Sequence, residues 1–287
     1  VCSSDLASLS FAVPLNGIPV AAEERTPTMA FRIAAHLCGW PKEVVQDRRR
    51  VMEIVKEAGY DGVEGFSGAT ADELVETAAL AAEYGLHLIN FGAPDPAVKA
   101  RFNATLGNDA AEVPAGRKPG HEPSDAELDA LCKVLEPHVA AFNKVGLKPF
   151  HHIHVGCILE TTADCARVLE RLPGLWLLYD TGHLQAANCD PMEVLARYPR
   201  QIGHVHLKNF WTQDPKAGWD RHRPDFWKTS RFCDLAEGNC GFDVGACLRG
   251  LEKAGYRGWI SVEEDHPRRD IAAVVRDNRR FLRGLGF

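Results

Sequence analysis

Ionisable residues recur in this chain at one kind of place, at or just beyond the C-terminal ends of short apolar runs. His152 and His154 lie two apart in KPFHHIH (148–154), so that in an extended segment both point to the same side. Asp180 closes LWLLYD (175–180), and His183 follows three residues later in YDTGH. His204 and His206 repeat the two-residue spacing in GHVHLK, with Lys208 after them, and Glu263 stands near the end of GWISVEE (258–264). Imidazoles and carboxylates transfer protons and bind divalent metals. A single strand-end histidine or aspartate is ordinarily a helix cap or a solvated surface group. Four consecutive segments ending this way point instead to a metal centre. The mixed nitrogen and oxygen donors favour one Mn²⁺ or Co²⁺, with Fe²⁺, Zn²⁺ or Mg²⁺ as alternatives.

These residues meet only if the segments carrying them lie parallel with their ends together. From Phe31 onward the apolar patterning predicts strands at 31–37, 61–66, 86–92, 148–154, 175–180, 202–208 and 258–264. Helices are expected at 43–58, 71–84, 125–145, 162–172, 191–198, 243–254 and around 270–284. Thr70 with Glu73 three residues on has capping-box spacing, Gly85 is the matching C-terminal signal, and Asp243 is an N-cap candidate. Strands alternating with helices imply right-handed βαβ units and a parallel sheet. The expected architecture is α/β, a (β/α)8 TIM barrel, whose active sites gather at the C-terminal ends of the strands. Seven strands are readable, one fewer than a closed barrel needs, and the Pro-, Gly- and charge-rich stretch 93–123 is where a degenerate or missing β/α unit falls. A second irregular stretch, 209–240, carries three of the six tryptophans, and its length and aromatic content point to a lid.

Composition narrows the function. The 287 residues carry 33 Lys+Arg against 39 Asp+Glu, a net charge of −6 that argues against a nucleic-acid partner. With 45% apolar and 25% charged residues the chain matches ordinary globular usage, and no apolar run approaches the roughly 20 residues that cross a bilayer. Nine cysteines without a C-x-x-C pair suit a reducing, cytoplasmic setting. No linker divides 29–287, which reads as one barrel domain. Residues 1–28 read as a non-native or disordered extension: VCSSDL at 1–6 is what GTG TGC TCT TCC GAT CT, a common sequencing-adapter end, translates to, and Met29 is the expected start.

YDTGHLQAANCDPMEVLARYPRQIGHVHLKN, with GYDGVEGF upstream and GYRGWISVEED downstream, resembles the xylose isomerase-like TIM barrel superfamily and, within it, the sugar phosphate isomerase/epimerase family. The resemblance runs from Phe31 to Phe287, and HIHVGCILET (152–161) is most similar to the inosose (2-keto-myo-inositol) dehydratase branch. Epimerases of that family bind one divalent metal through Glu, Asp, His and Glu from four successive strands. By position the last three match Asp180, His206 and Glu263, and His152 stands where the epimerases have Glu. The resemblance thus implies His152, Asp180, His206 and Glu263 as ligands. It leaves Glu263 alone of the two opposed carboxylates that a symmetric epimerisation uses. An elimination needs one base and a separate acid. The implied activity is metal-dependent abstraction of a proton α to the carbonyl of a keto-polyol or ketose, as in dehydration by inosose dehydratases. Glu263 or His154 would be the base, and His154 or His183 the acid. The alternative is a sugar or sugar-phosphate isomerase or 3-epimerase on the same metal. An apurinic-site endonuclease would need more ligands and a basic surface, and an inactive sugar-binding barrel is the remaining reading.

Further residues are expected around this centre. Lys208 is placed to hold a substrate oxygen. Glu64 would accept hydrogen bonds from substrate hydroxyls or serve as a cap or barrel-mouth ion pair. His36 and Trp40 would line the pocket or pack beneath it. His204 should lie deeper than His206, and His151 should face the helix layer. No Gly-rich phosphate loop is present, which favours an unphosphorylated polyol, ketose or keto-cyclitol as the small-molecule partner. Arg268, Arg269, Arg276, Arg279, Arg280 and Arg283 make the last helix basic, as a solvated face or a subunit contact in a homo-oligomer would be.

Overall fold

The computed structural model of the chain describes residues 31–114, 116–118 and 122–287. The extension expected at 1–28, and Met29, lie outside the described residues. The strands are β1 (Arg32–His36), β2 (Gly62–Glu64), β3 (His87–Ile89), β4 (Ala110–Glu112), β5 (Lys148–His152), β6 (Trp176–Asp180), β7 (Ile202–Leu207), β8 (Asn209–Thr212), β9 (Ser230–Cys233) and β10 (Trp259–Val262). All but β8 and β9 join one eight-stranded parallel sheet in the order β3-β2-β1-β10-β7-β6-β5-β4. The first strand pairs with the last, the sheet curls, and helices cover its outside, which is the (β/α)8 TIM barrel.

The unit that the sequence leaves uncounted is present. The helix Pro96–Thr105, capped by Asp95, leads into β4 within the stretch 93–123. β4 is only Ala-Ala-Glu, and the helix buries just Ala100 and Asn103, so neither has a readable apolar pattern. Between β3 and β4, the two ends of the sheet order, side chains stand in for a backbone ladder. Asn90 Oδ1 accepts from the Glu112 N–H at 3.0 Å, and Asn108 Nδ2 donates to the Leu88 carbonyl at 3.2 Å. Asn108 Oδ1 accepts from His87 Nε2 at 2.9 Å. Asn90 sits at φ 47, a left-handed conformation that asparagine tolerates better than most residues.

Elsewhere the local signals hold. Thr70 and Glu73 form the capping box of the helix Ala71–Glu83. The helix expected over 43–58 is interrupted at Asp47, whose side chain accepts from the Arg50 N–H and starts a second helix, Arg48–Ala58. Val51, Ile54 and Val55 from that helix share one continuous core with Ile33, Val63 and Leu88 from the strands. Burial of such side chains, worth about 1.5–3 kcal/mol each, holds the helix layer on the barrel. The irregular stretch 209–240 contains the antiparallel hairpin β8/β9. Among the described residues no helix is long and apolar enough to cross a membrane.

Candidate active site

Register brings the strand ends together. Asp180 pairs with His206 across β6 and β7, His206 pairs with Ser261 across β7 and β10, and Glu263 lies two residues beyond Ser261. As a result the donor atoms of Asp180, His206 and Glu263 lie within 4.8 Å of one another. His152 Nε2 is 3.1 Å from Asp180 Oδ2, and its ring centroid is 4.9 Å from that of His206. Asp180, His206 and Glu263 thus form one candidate ligand group and His152 joins another with Asp180 and His183, so the four residues that the resemblance implies adjoin through Asp180.

The arrangement fits a cation. His206 Nδ1 and Glu263 Oε2 approach to 2.8 Å, yet both are buried and neither takes part in a hydrogen bond. An ion shared between them would satisfy both atoms. On the other side of the ring His206 Nε2 donates to Glu64 Oε1 at 3.4 Å. Burial would lower the His206 pKa, but Glu263 and Glu64 raise it well above the ordinary histidine range, so a metal bound at Nδ1 would take the place of that ring's proton. Glu64 is almost fully buried and accepts also from His204 Nε2 at 2.7 Å, from Asn90 Nδ2 at 2.9 Å and from the Ser261 hydroxyl. Burial alone would raise its carboxyl, but the His204 and His206 rings hold it well below the ordinary carboxylate range. Both oxygens of Glu64 are thus engaged from within the barrel, so its place is beneath His206 as an orienting group. His204 lies in the same buried layer, stacked on Phe150.

The other expected residues divide. His36, His154 and His183 line a cavity of about 580 Å³ together with His152, His206 and Glu263. His154 Nδ1 donates to the Val155 carbonyl at 2.7 Å, which leaves Nε2 as the free acceptor; burial, reinforced by His152, pushes its pKa down to about 4. The His183 ring lies 3.7 Å from that of His154, centroid to centroid, and burial and then Lys208 keep it well below the ordinary histidine range. Lys208 does not line the cavity: it is fully buried, with Nζ 3.4 Å from Asp180 Oδ2 and 3.1 Å from Glu263 Oε2. Trp40 belongs to the apolar core and is likewise absent from the lining. His151 faces away from the cavity: its Nε2 accepts from the Gly116 N–H at 3.1 Å, and its pKa, lowered by burial, is about 4.

The cavity also holds residues that the sequence reading passed over. Asn90 and Glu112 line it from the ends of β3 and β4, and Asp265 and Cys38 from the loops after β10 and β1. Glu112 Oε1 lies 3.8 Å from His152 Nδ1. An acidic residue closing a short alanine run was the available signal for Glu112, but without β4 it had no strand to end. Over the mouth, Phe232 of β9 and the half-exposed Trp227 complete the lining. Trp219 Nε1 donates to the Gln185 carbonyl at 2.9 Å, tying the 209–240 segment down beside the site.

A family model described as xylose isomerase-like TIM barrel matches residues 52–285, most of the chain. The chain belongs to the xylose isomerase-like TIM barrel family. Among curated members of known name, an inosose dehydratase from Geobacillus kaustophilus (strain HTA426) is 33% identical over 146 residues, 50% of this chain and 47% of the relative. The chain spans about half the length of the curated relatives it matches. Among solved structures, the 3-keto-D-glucoside 4-epimerase of E. coli superposes with a TM-score of 0.66 at 18% identity, covering 88% of this chain and 99% of that one. A xylose isomerase-like TIM barrel protein from Mycobacterium smegmatis, in complex with magnesium, gives 0.66 at 15% identity over 89% of this chain and 96% of its own. At such identities these structures speak for the fold, which this family shares.

Proposed function

We propose that the chain is a metal-dependent dehydratase of a keto-polyol of the inosose type, removing the proton α to a carbonyl and the hydroxyl β to it as water. The observation that carries this reading is a neutral, well-placed proton acceptor in the cavity, His154. Its tautomer is fixed by the Val155 carbonyl, its ring is neutral at pH 7, and Nε2 is unengaged. Glu263 is the weaker base: burial alone would raise its carboxyl, but Lys208, His36 and His206 hold it well below the ordinary range. His154 Nε2 takes the α-proton, and in place of the separate acid expected from the sequence its own protonated ring returns it to the departing hydroxyl on the same face, so that water leaves and the carbonyl becomes conjugated with the new double bond. His183, packed on His154, keeps that ring in place. His152, Asp180, His206 and Glu263 would hold the ion. When bound, a divalent metal supplies Lewis-acid polarisation of the substrate carbonyl, which acidifies the α-proton. His36, Asn90 and Glu112 offer polar groups to the remaining hydroxyls. The names of the sequence relatives, inosose dehydratases, support the same reaction class.

One observation favours a second reading, 3-epimerisation of a ketose. In the sheet order β4 lies four strands from β10, halfway round an eight-stranded barrel, so Glu112 faces the cavity from the wall opposite Glu263. Two opposed carboxylates are what a two-base epimerisation requires. Incubating the purified chain with Mn²⁺ and 2-keto-myo-inositol in D₂O separates the two. Dehydration gives an ultraviolet-absorbing conjugated ketone, and the signal disappears in His154→Ala. Recovery of deuterated substrate or epimer with no absorbing product contradicts dehydration and supports the second reading.

A further inference from the structure

The position of Lys208 is unusual for a group meant to touch substrate. Its side chain is fully buried and outside the cavity lining, although its Nζ lies against the carboxylates of Asp180 and Glu263. Nζ donates to Asp265 Oδ2 at 3.1 Å and to His183 Nε2 at 3.3 Å, and it pairs with Asp180 at 3.4 Å and Glu263 at 3.1 Å. An ammonium has three protons to give, and four acceptors already surround this one. The segment Asp180-Thr181-Gly182-His183 is built around it. Asp180 and His183 meet the charge. The Thr181 hydroxyl donates to the Lys208 carbonyl at 2.6 Å and accepts from the Lys208 N–H at 2.9 Å. At Gly182 a Cβ would lie 2.8 Å from three carbons of the Lys208 stem, so only glycine lets the stem pass.

We infer that Lys208 is an internal counter-ion for the metal-site carboxylates. It is a positioning residue that holds Asp180 and Glu263 in the metal-free chain and repels the divalent ion that shares them. Buried carboxylates left without a cation would be strongly destabilising. The lysine supplies one permanently, which keeps the site assembled before metal arrives at the cost of weaker metal binding. The competition with metal rests on the ligand set proposed above, whereas the pairing with Asp180, Glu263 and Asp265 does not.

The test uses the full chain, metal-free and at pH 7.5, with calorimetric Mn²⁺ titration and thermal melts of wild type and Lys208→Met. The counter-ion role predicts opposite changes: the metal-free variant melts several degrees lower, by about 5 °C or more, yet binds Mn²⁺ at least about tenfold more tightly. A substrate contact predicts unchanged melting and unchanged Mn²⁺ affinity, and that result overturns the inference. If neither protein binds Mn²⁺, the metal reading falls, and the inference is decided by the double variant Lys208→Met/Glu263→Gln. Recovery of the lost melting temperature upholds the pairing; no recovery overturns it. The same double variant decides the matter should Lys208→Met alone fail to fold, since folding restored by removing a carboxylate has no other source.

Discussion

At the scale of single residues, the site is set as much by what surrounds the proposed ligands as by those residues themselves. Glu64 was legible as the polar end of a strand, but strand-end position does not say whether a side chain rises into the cavity or turns down into the barrel. Its bonds to His204 and His206 place it beneath the site, and the same ambiguity sent Trp40 to the core rather than the pocket. Since Glu64 fixes the His206 ring with Nδ1 toward the centre, Glu64→Gln should weaken Mn²⁺ binding about tenfold in a calorimetric titration. A change confined to the substrate KM would instead restore the sequence-level role of a hydroxyl acceptor. Gly182 was legible only as part of a motif, and its reason is the Lys208 stem. Gly182→Ala should cost about 1–3 kcal/mol in urea unfolding through overpacking, although the residue neither binds nor reacts.

At the scale of elements, seven strands are readable, even the three-residue β2 and β3, because Val, Leu, Ile or Phe stand in or beside them, and β4 escapes because Ala-Ala-Glu carries no large apolar side chain. With β4 went Glu112, and with Glu112 the carboxylate that faces Glu263 across the cavity. The seam at β3 and β4 depends on side chains, which makes it vulnerable. Asn108 bonds Leu88, Asn103 and His87 from a buried position, and Asn108→Ala should lower stability by about 1–3 kcal/mol in urea denaturation, since it orphans buried partners. His87 adds a pH dependence. Burial lowers its pKa below 6.5, partly opposed by the Asn108 bond. The native state therefore binds fewer protons than the unfolded chain just below that value. The stability involved is complete above about pH 6.5 and is lost as the pH falls through the lowered native value. The urea midpoint of the wild type should thus decline more steeply from pH 7 to 5 than that of His87→Gln, and equal slopes would contradict this assignment. The 209–240 segment, expected to be a lid, supplies Trp227 and Phe232 to the cavity mouth.

At the scale of the whole molecule, the barrel turns distant sequence positions into neighbours. His36 and Glu263, 227 positions apart, lie 3.8 Å from each other because the first strand pairs with the last. Strand-end spacing singled out His152, Asp180, His206 and Glu263 within a wider set, and the family resemblance implied these four as ligands; a parallel barrel gathers every strand end at one face. The spacing could not reveal how many carboxylates face one another across that cavity, because this depends on which strands stand opposite, and one of them was unseen. The central claim is that these residues form a single divalent-metal centre, and elemental analysis by mass spectrometry tests it most directly. The purified chain is loaded with Mn²⁺, dialysed, and compared with Asp180→Ala and His206→Ala. The account predicts about one ion per wild-type chain and a large loss in both variants. A folded wild type that retains no divalent metal, or variants that retain as much as the wild type, would contradict it.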